Sequence, residues 1–124
     1  MTESTPWCIL TKRYGEDVRN PTEQQLNQAA HELFHENLAG MNQGDYEEHG
    51  VAFLRYGFDD GPLYVVEGNR LGQVTLSKYS DQDFEELESE ITSNTSEPSL
   101  VQLWKWLSVG NLTAIRKAHP ECGW

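Results

Sequence analysis

Three β-favouring runs between residues 51 and 79 are joined by connections too short to cross over a sheet. Residues 51–56 form the first run, and the segment 58–62, Phe-Asp-Asp-Gly-Pro, turns the chain. Asp-Gly accepts the positive φ angles that a tight hairpin needs. Residues 63–66 form the second run, Glu67-Gly68-Asn69 makes the next turn, and residues 71–79 form the third. Parallel neighbours require a crossover of about a dozen residues or more, so these three strands must be antiparallel. In the third run Val74 and Leu76 share a face with Gly72 while Leu71 points the other way, which predicts a bulge near Gly72.

The remaining elements group around this meander. Residues 7–14 are rich in β-favouring types and predict a strand before it. Residues 15–20 read as a polar connection. Asn20 is placed to cap a helix with Pro21 at its first position. Leu26, Ala29, Ala30, Leu33, Phe34 and Leu38 recur at helical spacing, and Gly40 ends the pattern. Residues 41–50 are polar and acidic, as a loop would be.

After the meander, Ser80 precedes a stretch in which Phe84, Leu87 and Ile91 fall on one side of a helix over 81–91. Residues 92–98 read as a linker. Ser99 and Gln102 have the spacing of a capping box, followed by the stripe Leu100, Leu103, Trp104 and Leu107. Gly110 closes that helix. Asn111 caps a last one carrying Leu112, Ile115 and Ala118, which Pro120 stops. One strand, one helix, three strands and three helices predict a single α+β domain over 1–124. Its antiparallel β-meander sheet is covered by helices mainly on one side.

The most visible motif is His31-Glu32-Leu33-Phe34-His35, which fits H-E-x-x-H. On a helix the two imidazoles share a face and can bind one zinc, with the glutamate as general base for a zinc-bound water. A third ligand would have to come from His49, Glu47 or Glu48. The extended metzincin pattern needs glycine and histidine where this chain has Leu38 and Met41. Little sheet precedes the helix, and both histidines fall on its polar side near Gln24 and Gln28. The expectation is therefore a solvated helix face, no cofactor and no catalysis, with a zinc hydrolase as the alternative. Ser108, His119 and Cys122 form no recognisable nucleophilic set.

Charge excludes more than motifs do. Twenty acidic residues face nine basic ones, a net charge of −11. Such a surface repels phosphate backbones and anionic membranes and attracts a basic protein partner. Seven of the acids, Asp81, Asp83, Glu85, Glu86, Glu88, Glu90 and Glu97, lie within 81–97, which contains no Lys or Arg. A solvated helix face is one reading of that run. A docking surface, extended by Glu47, Glu48, Asp59 and Asp60, is the other. Trp106 lies off its helix's apolar stripe, so it either anchors a partner or packs beneath the C-terminal tail. Trp124 is expected to plug a gap in the core. Cys8 and Cys122, far apart and outside any Cys-x-x-Cys pair, are expected to be free thiols, with a disulfide as the alternative. No apolar run approaches a membrane span, and the first six residues carry no basic region before an apolar stretch, so a cytoplasmic location is expected.

The short acidic α+β pattern is similar to the small immunity proteins of bacterial polymorphic-toxin and contact-dependent systems. It combines the 51–79 meander, Leu-Trp-Lys-Trp-Leu at 103–107 and His-Pro-Glu-Cys-Gly-Trp at 119–124. The resemblance is architectural and has no diagnostic motif. It implies non-catalytic binding that blocks the active site of a cognate toxin. An acidic adaptor, or a mimic of nucleic-acid charge, is a further alternative.

Overall fold

A computed structural model of the chain describes residues 7–12, 15–35, 51–58, 62–69, 72–80, 87–122 and 124. Within them run β1 (Trp7–Thr11), β2 (Asp17–Arg19), α1 (Glu23–His35), β3 (Val51–Gly57), β4 (Leu63–Asn69), β5 (Gln73–Tyr79), β6 (Leu87–Asn94), α2 (Glu97–Ser108) and α3 (Leu112–Ala118). The strands form one sheet in the order β2-β1-β3-β4-β5-β6, and every pairing is antiparallel. The fold is α+β, as the short connections require.

Register explains which residues are buried. Side chains alternate between faces along a strand, and residues directly opposite each other on paired strands share a face. Val18, Leu10, Leu54, Val66, Leu76 and Ile91 therefore form one row across the sheet. Four of them, Leu10, Leu54, Val66 and Leu76, have no exposed surface. They join a single core with Leu26, Ala29, Ala30 and Leu33 of α1, Leu100, Leu103, Trp104 and Leu107 of α2, and Ile115 of α3. The three helices thus cover one face of the sheet.

Two contacts seat α2 on that face. The indole Nε1 of Trp104, fully buried, donates to the Val66 carbonyl at 3.0 Å. A methyl group at Gly68 would collide with Leu100 Cδ2, so glycine there lets the helix lie against β4.

Helix boundaries differ locally from the sequence expectations. Asn20 has φ 49° and caps nothing. Thr22 takes its place: its Oγ1 accepts from Gln25 N at 3.2 Å, while Gln25 Oε1 accepts from Thr22 N at 2.8 Å. This is a capping box two residues further in than a cap with Pro21 at the first position. Likewise Ser96, not Ser99, caps α2, its side chain accepting from Ser99 N, with Pro98 in the first turn. Gly110 (φ 72°) follows α2, and Asn111 Oδ1 accepts from Ala114 N to cap α3, both as expected.

The sheet is wider than the sequence suggests. The polar connection 15–20 contains β2, a short charged edge strand folded back through Gly15 (φ 85°). No bulge lies at Gly72. That residue (φ 82°) sits in the turn before β5, and its carbonyl accepts from Thr95 N at 2.7 Å. The irregularity falls instead between Lys78 and Tyr79 opposite β6.

The largest correction concerns 81–91, read as a helix. Residues 87–94 are strand β6, and 81–86, including Phe84, lie outside the described residues. Ser89, Ile91 and Ser93 are half-buried while Glu90, Thr92 and Asn94 are exposed, a period of two. Leu87, expected to anchor the helix, is 50% exposed. Three apolar residues made a thin helical stripe, whereas β5 offers a full row of unpaired backbone groups. Pairing with that edge overrides the local pattern.

Candidate functional site

The nominated acids separate once the strand is in place. Glu88 falls at the irregularity of β6, its Oε2 3.1 Å from Lys78 Nζ. Its charge is thus compensated by a base from the neighbouring strand, contrary to the expectation that the acids of 81–91 project without local compensation. Glu90 pairs in register with Ser77 and faces away from the helices. Asp83, Glu85, Glu86, Glu47, Glu48, Asp59 and Asp60 lie outside the described residues. Glu97 opens α2, its Oε1 3.6 Å from His31 Nδ1.

That contact sets Glu97 beside one motif histidine. His31 is exposed at the lip of an open groove of about 630 Å³ between α1 and α2, lined also by Gln28, Gln102 and Lys105. Glu32, the motif's general-base position, accepts from Gln28 Nε2 at 3.2 Å. His35 closes α1, and His49 lies outside the described residues.

Trp106 is half-buried and packs on the core, as do Leu112 and Trp124. Trp124 stacks at a tilt on Tyr64, ring centroids 5.1 Å apart, as a core-plugging terminal residue should. Cys8 and Cys122 are free, and burial pushes the Cys8 thiol up to about 12, far from reactive thiolate chemistry.

One arrangement was not anticipated. On the face opposite the helices, Phe53, Glu67, Thr75 and Thr92 form one row, and Arg55, Val65, Ser77 and Glu90 form the next. Within these two rows β5 presents the small side chains of Thr75 and Ser77, between Glu67 of β4 and Glu90 of β6. The result is a concavity of about 220 Å³ bordered by Glu67, Glu90, Phe53 and Tyr79. Ser77 is only 5% exposed, and its hydroxyl makes no hydrogen bond among the described residues. Among the described residues neither Glu67 nor Glu90 forms an ion pair. Arg55 turns instead toward the other edge of the sheet, 3.4 Å from Thr11 Oγ1 and 3.8 Å from Asp17. Burial, and secondarily the Glu90 charge, hold the Glu67 carboxyl above the usual carboxylate range. The sequence reading placed Glu67 in a turn. The signal available was the alternation across 63–69, Leu-Tyr-Val-Val-Glu-Gly-Asn, which puts Glu67 on the face of Leu63 and Val65.

No family model, curated protein or solved structure matches this chain. No helix among the described residues is long and apolar enough to cross a membrane.

Proposed function

We propose that this chain is a non-catalytic, acidic binding protein that inhibits a basic partner, in the manner of a bacterial immunity protein covering the active site of its cognate toxin. The observation that carries this reading is the excess of acids over bases in the chain, most concentrated in segment 81–97, which holds seven carboxylates and no base of its own. Of these, Glu88 and Glu90 stand on β6, the outermost strand of the sheet, and Glu67 on β4 lies near Glu90. Such a surface accelerates encounter with a basic groove and disfavours nucleic acid and anionic membranes, at a net charge of −11. In this reading the protein acts in the cytoplasm and needs no cofactor.

The test is growth rescue. The toxic C-terminal domain of a neighbouring gene product is co-expressed with this chain, and survival is compared with a control lacking it. Glu85→Gln, Glu86→Gln and Glu88→Gln together should slow association with that domain several-fold and flatten its salt dependence, because long-range attraction acts on the on-rate. Failure to rescue growth, with no complex formed at low salt, sinks the proposal.

A further inference from the structure

We propose that the concavity on the face opposite the described helices, bounded by Glu67, Ser77 and Glu90, is a seat for the guanidinium group of an arginine presented by the protein partner. This rests on the binding-protein reading above and gives it a contact point.

The first argument is geometric. The two carboxylates stand on β4 and β6, and the small residues Thr75 and Ser77 of β5 form the floor between them. Two strand spacings separate β4 from β6 by about 10 Å, so a flat cationic group entering from above meets an acid on each side.

The second argument is an unmet hydrogen-bonding capacity. Ser77 is 95% buried by its 5% exposure, yet its hydroxyl has no partner among the described residues. The hydroxyl opens into the concavity, so it is an acceptor on the floor that a guanidinium donor can reach. The Thr75 and Thr92 hydroxyls already bond each other at 3.1 Å, which leaves Ser77 as the available acceptor on the floor.

The third argument is charge. Glu67 and Glu90 repel one another, and among the described residues no cation pairs with either, Arg55 being held 3.8 Å from Asp17 and 5.5 Å from the centroid of the Phe53 ring. An incoming cation relieves that repulsion as well as forming charge-assisted hydrogen bonds. The Phe53 ring at the border already carries the Arg55 guanidinium, and an aromatic border of this kind favours arginine over lysine, because a planar guanidinium stacks on aromatic faces while a compact ammonium is strongly hydrated.

The test uses N-acetyl-arginine methylamide as probe and its neutral citrulline counterpart as control, titrated into the full chain and followed by amide NMR. Saturable shifts should appear at Glu67, Thr75, Ser77 and Glu90 with the arginine probe and be absent with citrulline. Glu67→Gln with Glu90→Gln should weaken binding at least about tenfold, the loss of about 1.4 kcal/mol, and Ser77→Ala should weaken it by a smaller factor. Calcium and magnesium chloride form a separate arm. Shifts at these residues that are stronger with either metal than with the arginine probe overturn the proposal, as do shifts that survive in the double variant or never appear. Growth rescue that fails while the probe still binds refutes the inhibitor reading alone. Rescue that succeeds undiminished in the double variant refutes the arginine seat alone.

Discussion

The two faces of the sheet are made by the same strands, yet they are built on different principles. Leu76 and Ser77 are consecutive residues of β5, 0% and 5% exposed. Leu76 is one of a continuous apolar row closed by three helices, whereas Ser77 sits between two carboxylates that have no partner among the described residues. The covered face spends its residues on close packing. The other face keeps half-buried polar groups that a stability-driven design would replace. Burying polar groups without partners costs free energy, so such a face is where function rather than folding explains the residue choice.

The contrast predicts mutational effects of opposite sign. The largest belongs to Trp104. Trp104→Ala should destabilise the fold by about 3–5 kcal/mol, because it empties a fully buried site and removes the donor to the Val66 carbonyl. Chemical denaturation would measure it, and a loss well under 1 kcal/mol would mean that the helices are not fixed to the sheet through this residue. A smaller loss is expected from Gly68→Ala, about 1–3 kcal/mol, since the added methyl collides with Leu100 and must displace its side chain or α2. An unchanged denaturation midpoint would show that this helix–sheet approach is looser than the structure has it.

Legibility in the sequence follows the same division. The covered face was readable because it announces itself as repeated apolar spacing: Leu26, Ala29, Ala30 and Leu33 on α1, and Leu100, Leu103, Trp104 and Leu107 on α2 all lie in the core. The meander was readable because its connections are short. The edges were not. β2 and β6 are polar strands whose pairing is decided by what β1 and β5 offer, not by their own hydrophobicity, and for β6 this turned a helix into a strand. The site was partly legible for the same reason. Glu90 was singled out for its charge, but its neighbour Glu67 lies over twenty residues away in sequence and comes near it only through the order β4-β5-β6. Charge counting finds the acids. Register is needed to say which of them share a surface.

The smallest predicted effect is the one that most sharply separates the faces, because its sign is reversed. Glu67 is half-buried, and its carboxyl is held above the ordinary range first by burial and then by the charge of Glu90. In the unfolded chain Glu67 loses its proton at the ordinary carboxylate pKa, while in the folded chain it keeps the proton to higher pH. Between those two values the folded state binds more protons, so stability falls as pH rises through that window. The contribution is fully present below the unfolded pKa and is lost once pH exceeds the raised folded value. At neutral pH the ionised Glu67 is therefore a burden on the fold, and Glu67→Gln should raise stability there by less than either loss above. At about pH 3, below the ordinary glutamate pKa of about 4.3 and so with the carboxyl mostly protonated in both states, wild type and variant should be nearly equal. The measurement is the difference in unfolding free energy between the two proteins across a pH series, which cancels the titration of the other acids. A variant that is less stable than wild type at neutral pH would mean that Glu67 is paired in the folded protein. The concavity would then be part of the fold's own bonding and not a seat held open for a partner's cation.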